Sequence, residues 1–442
     1  MERATSNHTP PILRLPNELI AEIAAAGLNE AARHHQVESP IPLSHVCQHF
    51  RRAILGTSAL WTKITLDVYR NGSVNISRLY LERSATRELR VSLKAVFGDA
   101  EASSLLHLIP HIKRISWLSI AYLSPEALSG MLAPFEGVAL PRLQHIEFDN
   151  YGDLDDRSTN LFSLDCPGIS SLILSSCLHS GLPPHWLNNL TCLELKEGSS
   201  LVDEDEWDIF LDIQTQAPCL THLHFDFNWS YGMDNRRISS KSLTHMHLLF
   251  PDESHEGVLD GLASCDTPAL IHLTLHESHG DQISLLFNAP NHPETAQLVF
   301  PALSTLVFIS VERYGCNKDP TDTENFEAIA APPLLIFPSL SSLTLIGQCF
   351  TARILSETLG PESAPWPLLR TVTVRPLEGD VDEVYAALQE VVQWKRKRQE
   401  PLPAFRLSQN LFARGYWQEA GVDVELPDDR EVLDLLALPA KH

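Results

Sequence analysis

The sequence predicts an α/β protein in which a small helical head precedes a long, irregular array of parallel strands. Apolar residues recur at helical spacing near the start, a short phrase recurs ten times in the body, and a second helical pattern follows the last copy. The 442 residues, of which 44% are hydrophobic, are too many for one ordinary compact domain. We expect a flexible N-terminal tail (residues 1–11), the head (12–67), the array (68–379) and a C-terminal cap (380–442).

The head begins with the stretch "LRLPNELIAEIAAAG", in which Leu19, Ile20 and Ile23 lie on one side of a helix that we expect to end at Gly27. A polar loop, residues 29–42, follows. A second helix is predicted from Leu43 to Gly56. "SALW" then forms a turn, and the alternation of Ile64 and Leu66 predicts a strand. About 55 residues have too little interior to bury all these apolar groups, so some must contact a partner or the array.

The body repeats the pattern P-x-L-x-x-L-x-L. The ten copies begin at Pro110, Pro141, Pro167, Asn188, Pro218, Lys241, Pro268, Pro301, Pro338 and Pro367. Their mean step is about 29 residues. The sixth and eighth positions alternate with polar residues, as in a strand with one buried face, and the proline suits a strand entrance. One such strand cannot bury its apolar face alone, so we expect parallel copies to stack around a continuous core.

This repeat resembles the leucine-rich-repeat family. The resemblance implies a solenoid with a curved parallel sheet and with helices and loops on the convex side. The chain departs from the family pattern, because only Cys177 and Asn228 supply the Cys or Asn that usually follows the last leucine by three residues. The steps between copies are also uneven. We therefore expect an irregular leucine-rich-repeat solenoid.

The C-terminal cap begins with a predicted helix over residues 380–398. Its apolar face comprises Val381, Val384, Tyr385, Leu388, Val391 and Val392. Acidic residues near its start and the run "KRKR" at its end both oppose the helix dipole, so the basic run is interpreted as a helix terminus. "AFRLS" and "VDVEL" are predicted to be strands that close the array, whose last unit needs a cap.

The stretches "LPNELIAEI", "LSHVCQHFRRAI" and "SALW", in this order, make the head resemble an F-box. The whole arrangement resembles the F-box families of mushroom-forming fungi. The resemblance implies docking to a Skp-type adaptor and through it to a cullin, while the repeats bind a protein substrate of the ubiquitin ligase. The implied adaptor-binding residues are Leu15, Pro16, Leu19, Ile23, Leu43, Val46, Cys47, Phe50, Leu60 and Trp61.

Composition and motifs also disfavour several other classes of function. A net charge of −23 disfavours nucleic acid and anionic membrane surfaces as partners. The start lacks a signal-peptide pattern and no apolar run is long enough to span a bilayer, so we expect a cytoplasmic or nuclear protein. The eight scattered cysteines form no CxxC pair. Catalytic and phosphate-binding motifs are absent from the sequence, so we expect neither an enzyme nor a cofactor or metal.

Histidines recur at the odd positions of three consecutive repeats, where side chains should point away from the buried leucines. They are His222, His224, His245, His247, His272 and His276. Three interpretations stay open: a metal site, a substrate-binding surface whose affinity changes between about pH 5.5 and 7.5 as imidazole titrates, or neutral polar filler.

Two rival functions also stay open. The protein could be a leucine-rich-repeat interaction scaffold in which the head only caps the array, and failure to co-purify with an adaptor would favour this. It could be a metal-dependent enzyme that uses the histidine surface, and bound metal in the purified protein would favour that.

Overall fold

The computed structural model describes residues 10–33, 39–68, 70, 72–95, 102–152, 164–175, 182–196, 204–226, 238–250, 265–277, 300–310, 337–347, 352, 355, 359, 366, 368–376, 381–408, 411 and 424–425. The chain divides into two compact units, residues 1–169 and 170–442. Each unit is α/β, with a parallel sheet whose strands follow one another in chain order. In the described residues, no helix combines the length and apolar character that crossing a membrane requires. The expected tail falls almost entirely outside these residues.

The first unit contains the head and the first strands. Its elements are α1 (Asn17–Arg33), α2 (Pro40–Ser44), α3 (Gln48–Gly56), β1 (Lys63–Asp67), α4 (Ser73–Arg83), β2 (Leu89–Ala95), β3 (Ile115–Tyr122), α5 (Pro125–Leu132) and β4 (His145–Asn150), with short 3-10 helices at Pro11–Arg14, Ser58–Trp61, Ala102–Arg114 and Ala133–Phe135. Strands β1 to β4 pair in parallel in that order. Helix α4 packs against β1, and α5 packs against β2 and β3.

The second unit continues the alternation with shorter helices. Its elements are β5 (Ser171–Ser175), α6 (Pro184–Leu187), β6 (Cys192–Lys196), α7 (Glu204–Gln216), β7 (His222–Asp226), β8 (Ile238–Ser239), β9 (His245–Phe250), β10 (Cys265–Asp266), β11 (His272–Glu277), β12 (Thr305–Ser310), β13 (Ser342–Gly347), β14 (Thr371–Pro376), α8 (Val381–Arg398), β15 (Ala404–Leu407) and β16 (Val424–Glu425). Strands β8 and β10 form a separate parallel pair, and the others make one parallel sheet in chain order.

The repeat pattern correctly predicts ten strands. The ten copies end in β3, β4, β5, β6, β7, β9, β11, β12, β13 and β14. In nine of the ten copies the sixth and eighth positions are buried, as Leu193 and Leu195 of β6 illustrate. The first copy is the exception, because a register shift between β2 and β3 leaves its eighth residue, Trp117, half-buried on the other side of the sheet. The predicted C-terminal helix is α8, "AFRLS" contains β15, and part of "VDVEL" forms β16. Strand β2 lacks the repeat phrase and was not predicted, although the alternation of Leu89, Val91 and Leu93 is a usable signal.

The prolines of the phrase do not enter the strands, which corrects one expectation. Seven of the ten copies first make a turn in which the third residue donates its backbone N–H to the carbonyl of the residue before the copy, whereas Pro110 of the first copy lies inside a 3-10 helix. Leu143 donates to Leu140 at 3.1 Å, and Leu303 donates to Phe300 at 3.2 Å. The proline is therefore the second residue of a β-turn, a position its fixed φ favours. The residues on both sides of the turn, such as Leu140 and Leu143, are buried and anchor it to the core.

A ladder of hydroxyl groups runs along the fourth position of the repeats. The Oγ1 atoms of Thr221 and Thr244 donate to the carbonyls of Thr191 and Thr221, each at 3.1 Å. Thr191 makes the same bond to Ser170 at 3.0 Å. The backbone N–H groups that follow bond to the same carbonyls. These bonds fix each strand on its predecessor just before the parallel pairing begins.

Two expectations for the head are wrong in detail. Helix α1 continues through Gly27 to Arg33, because one glycine costs a helix only about 1 kcal/mol relative to alanine and three alanines precede it, with the good helix former Leu28 after it. The helix expected from Leu43 is two helices. Pro40 occupies the first turn of α2, where Ser39 caps the amide of Ile41, and Cys47 adopts an extended conformation as the N-cap of α3.

Candidate partner-binding sites

The head has its own small apolar core. Ile20 of α1 packs with Phe50 and Ala53 of α3, and Leu13 and Leu15 lie half-buried against this cluster. Nε2 of His49 lies 3.0 Å from the carbonyl oxygen of Leu15, a hydrogen bond that holds the segment before α1 on α3. Other apolar side chains of the head, such as Ile54 and Trp61, are buried outside this cluster, while Leu19, Ile23 and Val46 are left at the surface.

Three of the predicted adaptor-binding side chains are strongly exposed. Leu19 is 44% exposed, Ile23 51% and Val46 62%. Leu19 and Ile23 are four residues apart and therefore lie on the same side of α1. Val46 lies in the turn between α2 and α3, helices that both pack against α1. We call Leu19, Ile23 and Val46 the exposed head surface.

The other predicted adaptor-binding residues range from exposed to buried. Pro16 is exposed; Leu15, Leu43 and Cys47 are half-buried; Phe50, Leu60 and Trp61 are buried. Trp61 is only 1% exposed, its Nε1 donates to the carbonyl of Ile54 at 2.9 Å, and its ring meets Tyr80 edge-on at 5.1 Å. Buried residues support the head from inside, so a direct contact with a partner falls to the exposed members.

The six predicted histidines lie on neighbouring strands of the second unit, as expected. His222 pairs in register with His245, which pairs with His272, and His224 pairs with His247. The rings of His222 and His245 stack at 4.3 Å, and those of His224 and His247 at 4.1 Å. We call the six residues, including His276, the histidine face.

The hydroxyl ladder sets the orientation of two of these rings. Nδ1 of His222 lies 2.9 Å from Oγ1 of Thr221, and Nδ1 of His245 lies 3.0 Å from Oγ1 of Thr244. Both threonine hydroxyls already donate their proton to a backbone carbonyl, so they must accept from Nδ1–H. We infer that both histidines, when neutral, carry the proton on Nδ1 and present Nε2 as a hydrogen-bond acceptor.

The histidines are half-buried, and burial keeps several of them neutral. Burial, assisted by Lys196 and His276, lowers the pKa of His224 to about 4. Burial, assisted by His245 and His222, lowers the pKa of His272 to about 4 as well. Burial also sets the pKa of His247 well below the usual value. The lowered pKa values disfavour the interpretation in which these three histidines titrate between about pH 5.5 and 7.5, because stacked rings on adjacent strands lose contact with water.

A buried carboxylate borders the histidine face on β6. Glu194 is 1% exposed, and its Oε1 lies 3.2 Å from Nζ of Lys196 and 3.9 Å from Nδ1 of His224. Glu194 of β6 pairs in register with His224 of β7, which pairs with His247 of β9. Sequence reasoning missed Glu194 as a residue of this site. Its odd position in the repeat is a signal for the side of the sheet it occupies, but not for its burial.

The opposite border is apolar, which the repeat pattern did not predict. Val307 and Ile309 of β12 and Ile346 of β13 form a buried cluster at odd positions of their repeats. Ile309 pairs in register with His276. The signal that could have revealed this border is the loss of alternation in "LVFI" and "LTLI". The histidine face is thus enclosed between a carboxylate edge and an apolar edge.

Within the described part of the chain, no group of three or more histidine, cysteine or acidic side chains is arranged to hold a metal ion. The metal interpretation therefore gains no support from these residues. No family model matches the chain, and a comparison with curated proteins finds no match.

Proposed function

We propose that the protein is the substrate-recognition subunit of a cullin–RING ubiquitin ligase, with an F-box head that docks to a Skp-type adaptor. The observation that carries the proposal is the exposed head surface. Single exposed apolar residues are common on protein surfaces, but Leu19, Ile23 and Val46 occur together in a module whose core is already filled. Covering them with a partner would remove apolar area from water at about 25 cal/mol per Å².

The repeat array would hold the protein substrate, and the chain itself would not be catalytic. The histidine face suits such a role chemically. Nε2 of His222 and Nε2 of His245 are hydrogen-bond acceptors. A substrate segment that donates hydrogen bonds fits these groups better than an anionic segment does, because the lowered pKa values keep His224 and His272 uncharged near neutral pH.

The test is binding of a purified Skp-type adaptor to the full chain. The double variant Leu19→Asp, Ile23→Asp should weaken binding by about a hundredfold or more, because two buried interface anchors would become charged. Ile76→Asp is the matched control, since Ile76 is also an exposed apolar residue of a helix but lies on α4, outside the head. An adaptor that does not bind the wild type, or binds all variants equally, would refute the proposal.

A second candidate function is an interaction scaffold in which the head only caps the array. The observation that favours it is the continuity between the head and the sheet. The buried ring of Trp61 packs on Tyr80 of α4, and Oγ of Ser39 lies 3.0 Å from the hydroxyl of Tyr80. A cap needs such contacts, whereas a docking module does not. The adaptor-binding experiment separates the two functions, because a cap alone would leave the adaptor unbound.

A further inference from the structure

The sheet of the first unit carries a second surface, on the side of β2, β3 and β4 opposite the buried leucines. Small residues form its middle, since Ser119 and Ala121 of β3 are largely buried. Larger side chains stand on the neighbouring strands. In register with Ala121 lie Lys94 of β2 and Asp149 of β4. The short side chains between two rows of longer ones make a groove along β3.

The groove is polarised. Arg90 and Lys94 on the β2 side are exposed, and within the part of the chain that the structure describes neither forms an ion pair. The β4 side carries Glu147 and Asp149, both half-buried. The hydroxyl of Tyr151 donates to Asp149, and this bond, with burial and the charges of Asp149 and Glu147, raises the pKa of Tyr151 to about 12. The carboxylate of Asp149 is thereby held on the β4 side.

Strand β1 contributes one basic and one acidic residue next to the basic side of the groove, so the positive charge of that side remains. Lys63 pairs in register with Arg90, while Asp67 pairs with Lys94. The carboxylate of Asp67 also lies 3.5 Å from Nε of Arg70. Cations therefore outnumber the one acid on β1 and β2, although the chain as a whole carries a net charge of −23.

One end of the groove is aromatic. The half-buried ring of Trp117 stacks on His145 of β4 at 5.5 Å, with an interplanar angle of 15°. Arg90 lies in register with Trp117 on the other side. Tryptophan and arginine are the residue types that contribute most often to the binding energy of protein interfaces, because they combine a large contact area with a polar or charged end.

We propose that this groove binds an extended protein segment that has an apolar side chain between an acidic residue and a basic residue. The acidic residue would lie against Arg90 and Lys94, the apolar side chain would rest on Ser119 and Ala121 beside Trp117, and the basic residue would reach Asp149. Strands β2 and β4 are two strand spacings apart, about 10 Å. Side chains of an extended chain alternate in direction, so the three residues that face the groove are two positions apart and the expected motif is acidic-x-apolar-x-basic. Its charged residues are about 13 Å apart along the chain, and their side chains make up the difference from the strand separation.

The test is selection of random peptides displayed on phage against the immobilised full chain. Wild-type protein should enrich peptides with the expected motif. Lys94→Glu should instead enrich peptides with basic residues on both sides of the apolar one, and a synthetic wild-type peptide should bind this variant about tenfold more weakly. Arg142→Glu is the matched control, because it makes the same charge change at an exposed turn outside the groove. Trp117→Ala should abolish enrichment.

Identical selected peptides for wild type and Lys94→Glu would overturn the proposal, as would the absence of any enriched motif or unchanged peptide affinity in Trp117→Ala. Thermal unfolding of each variant identifies any that fail to fold, and Trp117→Phe then provides a smaller change at the same place. The groove lies outside the exposed head surface, so adaptor binding by these variants reports separately on the proposed function.

Discussion

The exposed head surface and the histidine face were predicted to do the same thing, to contact a partner, yet their environments are opposite. Leu19, Ile23 and Val46 are apolar and project into water. The histidines are polar but half-buried, with rings stacked at 4.1 and 4.3 Å in the two tightest pairs. The difference indicates that the apolar side chains of the head surface remain in contact with water in the isolated chain. The histidine side chains, in contrast, already pack against one another within the fold. Changes at the two places should therefore affect stability and binding in different proportions.

The largest effect of a single substitution on stability is expected from a buried member of the predicted head site. Trp61→Ala should lower the free energy of unfolding by about 3–5 kcal/mol, because it leaves a cavity beside Tyr80 and removes the hydrogen bond to Ile54. Urea unfolding followed by circular dichroism measures it. Trp61→Phe is the control that keeps most of the volume. A loss below about 1 kcal/mol for the alanine variant would mean that Trp61 does not tie the head to the sheet.

Acid should destabilise the histidine face. His224 and His272 have folded pKa values of about 4, while an unfolded histidine titrates near 6.5, so the unfolded state binds more protons between these values. Stability is therefore full above about pH 6.5 and falls as the pH drops towards 4, by up to about 3 kcal/mol for each residue. Unfolding free energy measured from pH 7.5 to 4.5 checks this. The variant His224→Gln, His272→Gln should show a shallower decline, and an unchanged slope would contradict the neutral state of these rings.

A smaller loss is expected in the hydroxyl ladder beneath the histidines. Thr221→Val removes the bond to the carbonyl of Thr191 and the acceptor for Nδ1 of His222, while it keeps the side-chain volume. We expect a loss of about 1–2 kcal/mol, and Thr221→Ser, which retains the hydroxyl, should restore most of it. Nitrogen NMR of the imidazole groups would also report the tautomer of His222. A His222 proton that stays on Nδ1 in the valine variant would show that the threonine does not set it.

The smallest effect should come from the exposed head surface. The double variant Leu19→Ala, Ile23→Ala should change the free energy of unfolding by no more than about 0.5 kcal/mol, because both side chains are already in water. The matched control Ile20→Ala changes the next residue of α1, which is buried, and should cost about 2–5 kcal/mol. Equal losses of stability in the two variants would mean that Leu19 and Ile23 pack inside the chain. That result would contradict the contrast between the exposed head surface and the buried histidine face.

Much of the fold could be predicted because the repeat phrase combines two local signals. A turn that usually begins with proline and a period-two apolar pattern occur in most copies, and together they predict the strands, their register and the direction of most side chains. The alignment of His222, His245 and His272 follows from that register alone. The head helices were predicted with less precision, because Gly27 was expected to stop α1 and the second helix proved to be two.

The sequence by itself determined which residues share a strand face, since alternation is a property of the backbone. Only the tertiary structure decided how much water each face meets. Trp61 lies inside the first unit because Tyr80, far along the chain, packs on it. The pKa values of His224, His247 and His272 are lowered because neighbouring strands bury the rings against one another, between the buried Glu194 and the apolar cluster of Val307. Burial depends on residues distant in sequence, so no local pattern can specify it.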